Sequence, residues 1–171
     1  METDRLVLRC MTLDDVDLLL GIFSDPIAMQ HYESTRDFDQ TLGWIRWNLG
    51  MYEEFGHGMW AVFERDNGRF VGQSGLVVQE VEGKREIELG YLLLRSCWGC
   101  GYATEAALAC RDFGFRELGR ERMISLIDPR NEPSRRVAER VGMKLEREIE
   151  KWGKTVCVYS LARGDLIAEA E

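Results

Sequence analysis

Apolar and polar residues alternate through "RLVLRC" (5–10), the two-residue period of a strand with one face in a core. The period changes at "TLDD" (12–15). Thr12 with Asp15 three residues on is a capping-box-like start, and it predicts a helix through about Gly21 with acids in its first turn. A second helix is predicted over 39–54, where Leu42, Ile45, Leu49 and Tyr52 share one face. "MWAVFE" (59–64) and "RFVGQSGLVVQE" (69–80) return to the strand pattern, and "DNG" (66–68) between them signals a hairpin turn. A fourth strand is predicted from "KRE" (84–86) through "IELGYLLL" to about Leu94. It is followed by a helix from Gly101 or Tyr102 to about Leu118. "RMISLID" (122–128) reads as a fifth strand, and a helix over 132–140 stops at Gly142, a C-cap residue. "MKLEREIE" (143–150) and "KTVCVYSL" (154–161) form a last hairpin that turns at Trp152-Gly153. The order β-α-α-β-β-β-α-β-α-β-β predicts one mixed α/β domain over 1–171 with a central sheet. No internal repeat, low-complexity tract or long linker interrupts it, and Pro26, Pro129 and Pro133 each punctuate a turn.

Composition narrows the function classes. A 45% hydrophobic and 30% charged chain of 171 residues can bury a real core. A net charge of −8 argues against nucleic acid, whose partners present basic patches, and suits a cationic partner such as an amine. There is no apolar run long enough to span a bilayer, and "METDRLVLRC" lacks the basic and apolar regions of a signal peptide. Five scattered cysteines (Cys10, Cys97, Cys100, Cys110, Cys157) fit reduced thiols in a cytoplasmic chain.

The stretch "RSCWGCGYATEAA" (95–107) is a candidate site. A strand ends, Gly99 and Gly101 follow one residue apart, and a helix starts with small residues. Free N–H groups and the positive end of a helix dipole make an anion site, and glycines let a phosphate approach the backbone. The other reading is a strand–helix turn that needs positive φ. A P-loop is excluded, because no lysine occurs from Arg95 to Met143. A dinucleotide fingerprint is excluded too: Thr104 stands where its third glycine belongs.

The chain resembles the GNAT superfamily of acetyl-CoA-dependent N-acetyltransferases, most of all the branch with the ribosomal-protein-alanine N-acetyltransferases. "IELGYLLLRSCWGCGYATEAALACRDFGF" is similar to that branch's acetyl-CoA segment, and "DPRNEPSRRVAERVGMKLE" (128–146) to its next signature, an Asn-x-x-Ser helix start. The superfamily's phosphate motif is Gln/Arg-x-x-Gly-x-Gly/Ala. Gly101-Tyr102-Ala103 fits its end, while Trp98 stands where Gln or Arg is usual.

The resemblance implies a mostly antiparallel twisted sheet flanked by helices and splayed between strands 4 and 5. It implies that the backbone of Trp98, Gly99, Cys100, Gly101, Tyr102, Ala103 and Thr104 holds the pyrophosphate of acetyl-CoA. Leu92, Leu93 and Leu94 would pair with the pantetheine arm as an added strand does, and an N–H near Leu92 would polarise the thioester carbonyl. Asn131 would bind the pantetheine from the other side. Ser134 would protonate the leaving thiolate, directly or through water. His31, Tyr32 and Glu33 would shape the acceptor pocket, in a segment between the first two helices. Arg136 would reach a coenzyme A phosphate, the other reading being an exposed helix face for Arg135 and Arg136.

Chemistry asks for one more group. An amine is mostly protonated at neutral pH, so a base must take its proton. Glu88 is the candidate: on an alternating strand it shares a face with Glu86, Gly90 and Leu92. The competing reading is a solvated strand face carrying two glutamates. Cys97 and Cys100 form a Cys-x-x-Cys without a second pair, so neither a metal site nor a thioredoxin-like redox pair is expected. A cysteine near coenzyme A could form a mixed disulfide. His31 and His57 read as ordinary loop residues, and Trp44, Trp47, Trp60 and Trp152 as core or pocket wall.

The expected activity is acetyl transfer to a primary amine, a protein N-terminus or a small molecule, by direct attack in a ternary complex. An acyl-CoA-binding sensor without turnover is the alternative. No nucleic acid or membrane partner is expected, and a homodimer through the last hairpin is a candidate assembly.

Overall fold

The computed structural model describes residues 1–168; the last three positions of the expected 1–171 domain lie outside the described residues. The strands are β1 (Leu6–Cys10), β2 (Met59–Glu64), β3 (Phe70–Val81), β4 (Lys84–Leu93), β5 (Arg122–Ile127), β6 (Lys144–Lys151) and β7 (Lys154–Ala162). The helices are α1 (Val16–Phe23), α2 (Phe38–Phe55), α3 (Tyr102–Arg116), α4 (Glu132–Arg140) and α5 (Arg163–Ala168). The strands form one sheet in the order β1-β2-β3-β4-β5-β7-β6. Every neighbouring pair is antiparallel except β4 and β5, which are parallel and register at a single position, Glu88 opposite Ile124. This is the mostly antiparallel sheet, splayed between its fourth and fifth strands, that the resemblance implies.

The alternation read from the sequence sorts side chains onto two faces. Leu6, Leu8, Trp60, Val62, Leu89 and Leu93 bury against α3 and α4. Met59, Ala61 and Val77, one residue out of phase, bury against α1 and α2. Three layers result, with the sheet in the middle.

Helix starts follow cap chemistry. Asp37 accepts from the Gln40 N–H at 2.8 Å, and Gln40 Oε1 accepts from the Asp37 N–H at 2.9 Å, so α2 begins one residue earlier than its apolar face alone predicts. The expected first helix is split: a 3-10 turn over Leu13–Asp15 precedes α1, and the buried Asp15 carboxylate accepts from the Thr12 N–H and pairs with Arg9 at 2.6 Å. The last hairpin turns on Trp152 and Gly153, both at positive φ, the backbone that a two-residue turn requires. Its outer strand β6 is an edge carrying charges from Lys144 to Lys151, which is how edges resist unwanted pairing. Helix α5 has no counterpart among the sequence-based expectations. Among the described residues no helix is long and apolar enough to cross a membrane.

Candidate active site

Strand β4 carries the site because it loses its neighbour. After Glu88 no β5 residue pairs with it, so one edge of its C-terminal half opens into a gap. Successive residues of a strand point their N–H and C=O groups to opposite neighbours. The Leu94 N–H donates to the Val71 carbonyl on β3 at 2.9 Å, and Ser125 Oγ on β5 donates to the Leu89 carbonyl at 2.7 Å. The β3–β4 register runs unbroken between these points. It follows that Gly90, Leu92 and Leu94 face β3, while Tyr91 and Leu93 face the gap. This corrects the expectation for Leu92 and Leu94, whose N–H groups belong to the β3 side. The free edge offers the N–H and C=O of Tyr91 and the N–H of Leu93. The Leu93 carbonyl is taken by Trp98 Nε1 at 3.1 Å, so the tryptophan at the unusual position pins its own loop to the strand end.

Beyond β4 a short 3-10 turn (Arg95–Cys97) leads into the glycines. The Trp98 N–H donates to the Arg95 carbonyl at 3.2 Å, which removes it from the predicted cradle. The N–H groups of Gly99, Cys100, Gly101, Tyr102, Ala103 and Thr104 have no acceptor among the described residues, and the first bond of α3 runs from Glu105 to the Gly101 carbonyl. Gly99 (φ 75°) and Gly101 (φ 79°) both sit in the left-handed region, where a side chain is strained. A Cβ on Gly99 would stand in open space, so backbone shape and not crowding selects glycine there. Arg5 braces the turn: it donates to the Cys100 carbonyl at 3.0 Å and pairs with Glu105 at 2.6 Å. A run of unpaired N–H groups at the start of a 15-residue helix, with a guanidinium beside it, fits a diphosphate.

Glu88 points into a cleft of about 610 Å3 on the α1/α2 face of the sheet. Its carboxylate accepts from Gln79 Nε2 at 3.0 Å and from the Leu126 N–H. Burial still raises its pKa above the ordinary carboxylate range, against those two bonds. A solvated strand face, the competing reading, does not describe this position.

Across the gap, α4 starts at the Asn131 cap, whose Oδ1 accepts from the Ser134 N–H at 3.2 Å. Its amide NH2 and the Ser134 hydroxyl remain, and both residues line the cleft. The Tyr91 hydroxyl donates to the Ser134 carbonyl at 2.7 Å and ties α4 to β4. Arg136 lies outside the cleft in an exposed pair with Glu132. Arg135 holds the Tyr159 hydroxyl at 2.9 Å and the Pro129 carbonyl at 3.2 Å.

The segment between α1 and α2 supplies the outer wall, and His31, Tyr32 and Glu33 all line it. Tyr32 is 46% exposed as a residue, while burial at its hydroxyl pushes the pKa up to about 12, with the Glu88 charge adding to the rise. His31 is anchored through its carbonyl, which accepts from Lys154 on β7. Lys154 also pairs with Asp128 at 3.0 Å, as does Arg130 at 2.9 Å, and Arg130 first and Lys154 second hold that carboxylate well below its ordinary range. Trp44 and Trp47 stack at 5.0 Å and, with the exposed Trp152, line the cleft, whereas Trp60 packs in the core on Phe113. His57 is not an ordinary loop residue: it is fully buried, and its Nδ1 lies 2.7 Å from the Leu76 carbonyl. Cys97 is buried and Cys100 exposed, both as free thiols.

Sequence reasoning passed over Tyr91, Arg36, Gln79, Asp128 and Lys154. Only Tyr91 carried a usable signal, its place one residue from Leu92 on the same strand.

Residues 5–144 match the family model described as an acetyltransferase (GNAT) domain. The chain is 43% identical over 160 residues to the uncharacterized protein YkkB of Bacillus subtilis (strain 168), covering 93% of each chain. It is similar to an acetyltransferase structure from Agrobacterium tumefaciens, with 29% identity and a TM-score of 0.84 over 95% of this chain and 94% of that one. It shares its fold, at 19% identity and a TM-score of 0.77 over 94% and 95% of the two chains, with the ribosomal alpha-N-protein acetyltransferase RimL solved in complex with coenzyme A. Acetyltransferase chemistry on this fold is therefore this chain's inheritance as well: the protein belongs to the GNAT family of N-acetyltransferases.

Proposed function

We propose that the protein transfers an acetyl group from acetyl-CoA to a primary amine by direct attack, with Glu88 as the base. The observation that carries this is the position of Glu88. It is the last β4 residue in register with β5, and its desolvated carboxylate opens into the cleft where the free strand edge begins.

The N–H groups of Gly99 to Thr104 would hold the pyrophosphate. The edge of Tyr91 and Leu93, with the Asn131 amide opposite, would hold the pantetheine arm. Acetyl-CoA supplies the activated acetyl thioester. Glu88, with its raised pKa, removes the ammonium proton, so that the neutral amine can form the new N–C bond as the C–S bond breaks. An N–H on the free edge stabilises the charge that develops on the carbonyl oxygen. The second proton that the nitrogen sheds as the amide forms passes to the departing thiolate through the Ser134 hydroxyl, directly or with a water, so that the serine ends as it began.

Calorimetry with acetyl-CoA, coenzyme A and ATP tests the cofactor, and thiol release with a panel of amines tests turnover. Binding of the first two ligands alone, with amine-dependent thiol release that Glu88→Gln abolishes, is the expected result. Full turnover in that variant would remove Glu88 from the mechanism.

A further inference from the structure

The cleft is not acidic, although the chain carries a net charge of −8. Its wall holds three cations, Arg36, Arg130 and Lys154, and three carboxylic acids, Glu33, Glu88 and Asp128. Asp128 is shared by Arg130 and Lys154, which leaves that group with a positive surplus. Arg36 has no partner at all: among the described residues no carboxylate lies within ion-pair distance of it. Its guanidinium carbon instead sits in the corner between two rings that meet edge to face, 4.7 Å from the Phe23 ring centre and 4.8 Å from that of Trp44. The guanidinium makes no hydrogen bond among the described residues, so its N–H donors are available to a ligand in the cleft that Arg36 lines. The same wall holds His31 Nδ1, which is buried without a hydrogen-bond partner.

Building on the proposed acetyl transfer, we propose that the acceptor is a small amino acid-like molecule. Its carboxylate docks on Arg36, its amine lies at Glu88, and an apolar or aromatic side chain rests against Phe23, Trp44 and Trp47. Arg36 and Glu88 are not paired with each other. Both line the same cleft, as does Tyr32. A zwitterion would neutralise both ends of this arrangement at once, and an unpaired guanidinium in a partly desolvated wall gains from a bidentate carboxylate. A polyamine or an aminoglycoside would bring several positive charges against Arg36, Lys154 and Arg130, with only Glu33 and Glu88 left unpaired in the wall to balance them.

The test compares phenylalanine, methionine and tryptophan with their amides, with phenethylamine and tryptamine, and with spermidine, a peptide N-terminus and kanamycin. Thiol release and calorimetric binding in the presence of coenzyme A are both read. The free amino acids should bind and react best, roughly tenfold to a hundredfold better than the amides or decarboxylated amines. Arg36→Met, which keeps the apolar packing on Phe23 and Trp44, should erase that preference and leave the affinity for acetyl-CoA unchanged. Arg36→Lys should restore part of it. Better use of spermidine, kanamycin or the peptide by the unaltered protein would overturn the proposal, as would an Arg36→Met effect equal for acids and amines. Failure of acetyl-CoA to bind would instead count against the acetyltransferase reading, and the binding arm would still report on the carboxylate.

Discussion

The Tyr91 hydroxyl donates to the Ser134 carbonyl at 2.7 Å, and so joins the free edge of β4 to the first turn of α4 across the gap between β4 and β5. The phenol is strongly desolvated and its pKa stands far above the ordinary tyrosine range, so it acts here as a fixed donor and not as an acid. Both sides of the gap bear proposed functional groups, the Tyr91 and Leu93 backbone on one and Ser134 and Asn131 on the other. The bond sets their separation. Tyr91→Phe removes one hydrogen bond without burying a new polar group, so it should cost about 1 kcal/mol of stability. Turnover should fall several-fold while acetyl-CoA binding changes little. Denaturant unfolding and steady-state kinetics check the two halves.

Glu88 couples activity to pH in one direction and stability in the other. As the proposed base it must be ionised, so kcat/KM should rise with pH through a value above the ordinary carboxylate range. A folded-state pKa raised by burial means the opposite for folding: the contribution is present below the unfolded pKa and is lost as pH rises through the folded value. Glu88→Gln should therefore lose turnover by about a hundredfold or more. Its melting temperature relative to the unaltered protein should increase as pH rises from the ordinary glutamate range toward neutrality. A melting difference that is flat across this range would show that burial does not perturb the carboxyl.

These two residues also show what could be read beforehand. Side-chain parity on β4 was legible, because a period of two places Glu88, Gly90 and Leu92 together whatever lies next to the strand. Hydrogen-bond parity was not. Which residues present a free N–H depends on which edge β3 occupies, and only tertiary structure decides that; hence the shift from Leu92 to its neighbours Tyr91 and Leu93. The elements themselves were largely legible from periodicity and caps. Exceptions are α5, six residues without a clear periodic face, and the 3-10 turns, too short to show one. The glycine turn of the proposed cradle was legible, because Gly99 and Gly101 lie in one local stretch. The contact of Arg36 with the Phe23 and Trp44 rings joins three separate segments, and no local pattern announces it.

Gly101 offers a test of the cradle that leaves every side chain in place. Its φ of 79° suits glycine, and the nearest atom to an added Cβ is Arg5 Nη2 at 3.4 Å, the flexible end of a side chain. Gly101→Ala should thus be limited by backbone strain and not by collision, at about 1 kcal/mol of stability. If the turn relaxes, the N–H groups from Gly99 to Thr104 no longer converge. The KM for acetyl-CoA should then rise about tenfold or more while the acceptor KM stays constant. An unchanged acetyl-CoA KM in a folded variant would place the pyrophosphate elsewhere.

Lys154 fastens the wall proposed to hold the acceptor. From β7 it donates to the His31 carbonyl and to the Asp128 carboxylate, and so holds the α1–α2 segment against the sheet. Asp128 keeps its charge deep into the acid range, because its pKa is depressed by Arg130 and Lys154. The stability this network lends is present above the ordinary aspartate pKa and is lost only as pH falls through the depressed value, so the wall should stay fastened at any pH where the enzyme works. Lys154→Met cuts the fastening but leaves Asp128 its Arg130 partner, so no buried carboxylate is stranded. Global stability should fall by about 1 kcal/mol. Amide exchange over residues 29–36 should speed up far more than in the β3 and β4 core, because the segment can open locally without unfolding the sheet. The acceptor KM should rise and the acetyl-CoA KM should not. If exchange accelerates and the acceptor KM is unmoved, the segment that carries His31, Tyr32 and Arg36 does not contact the acceptor, and the wall must be reassigned.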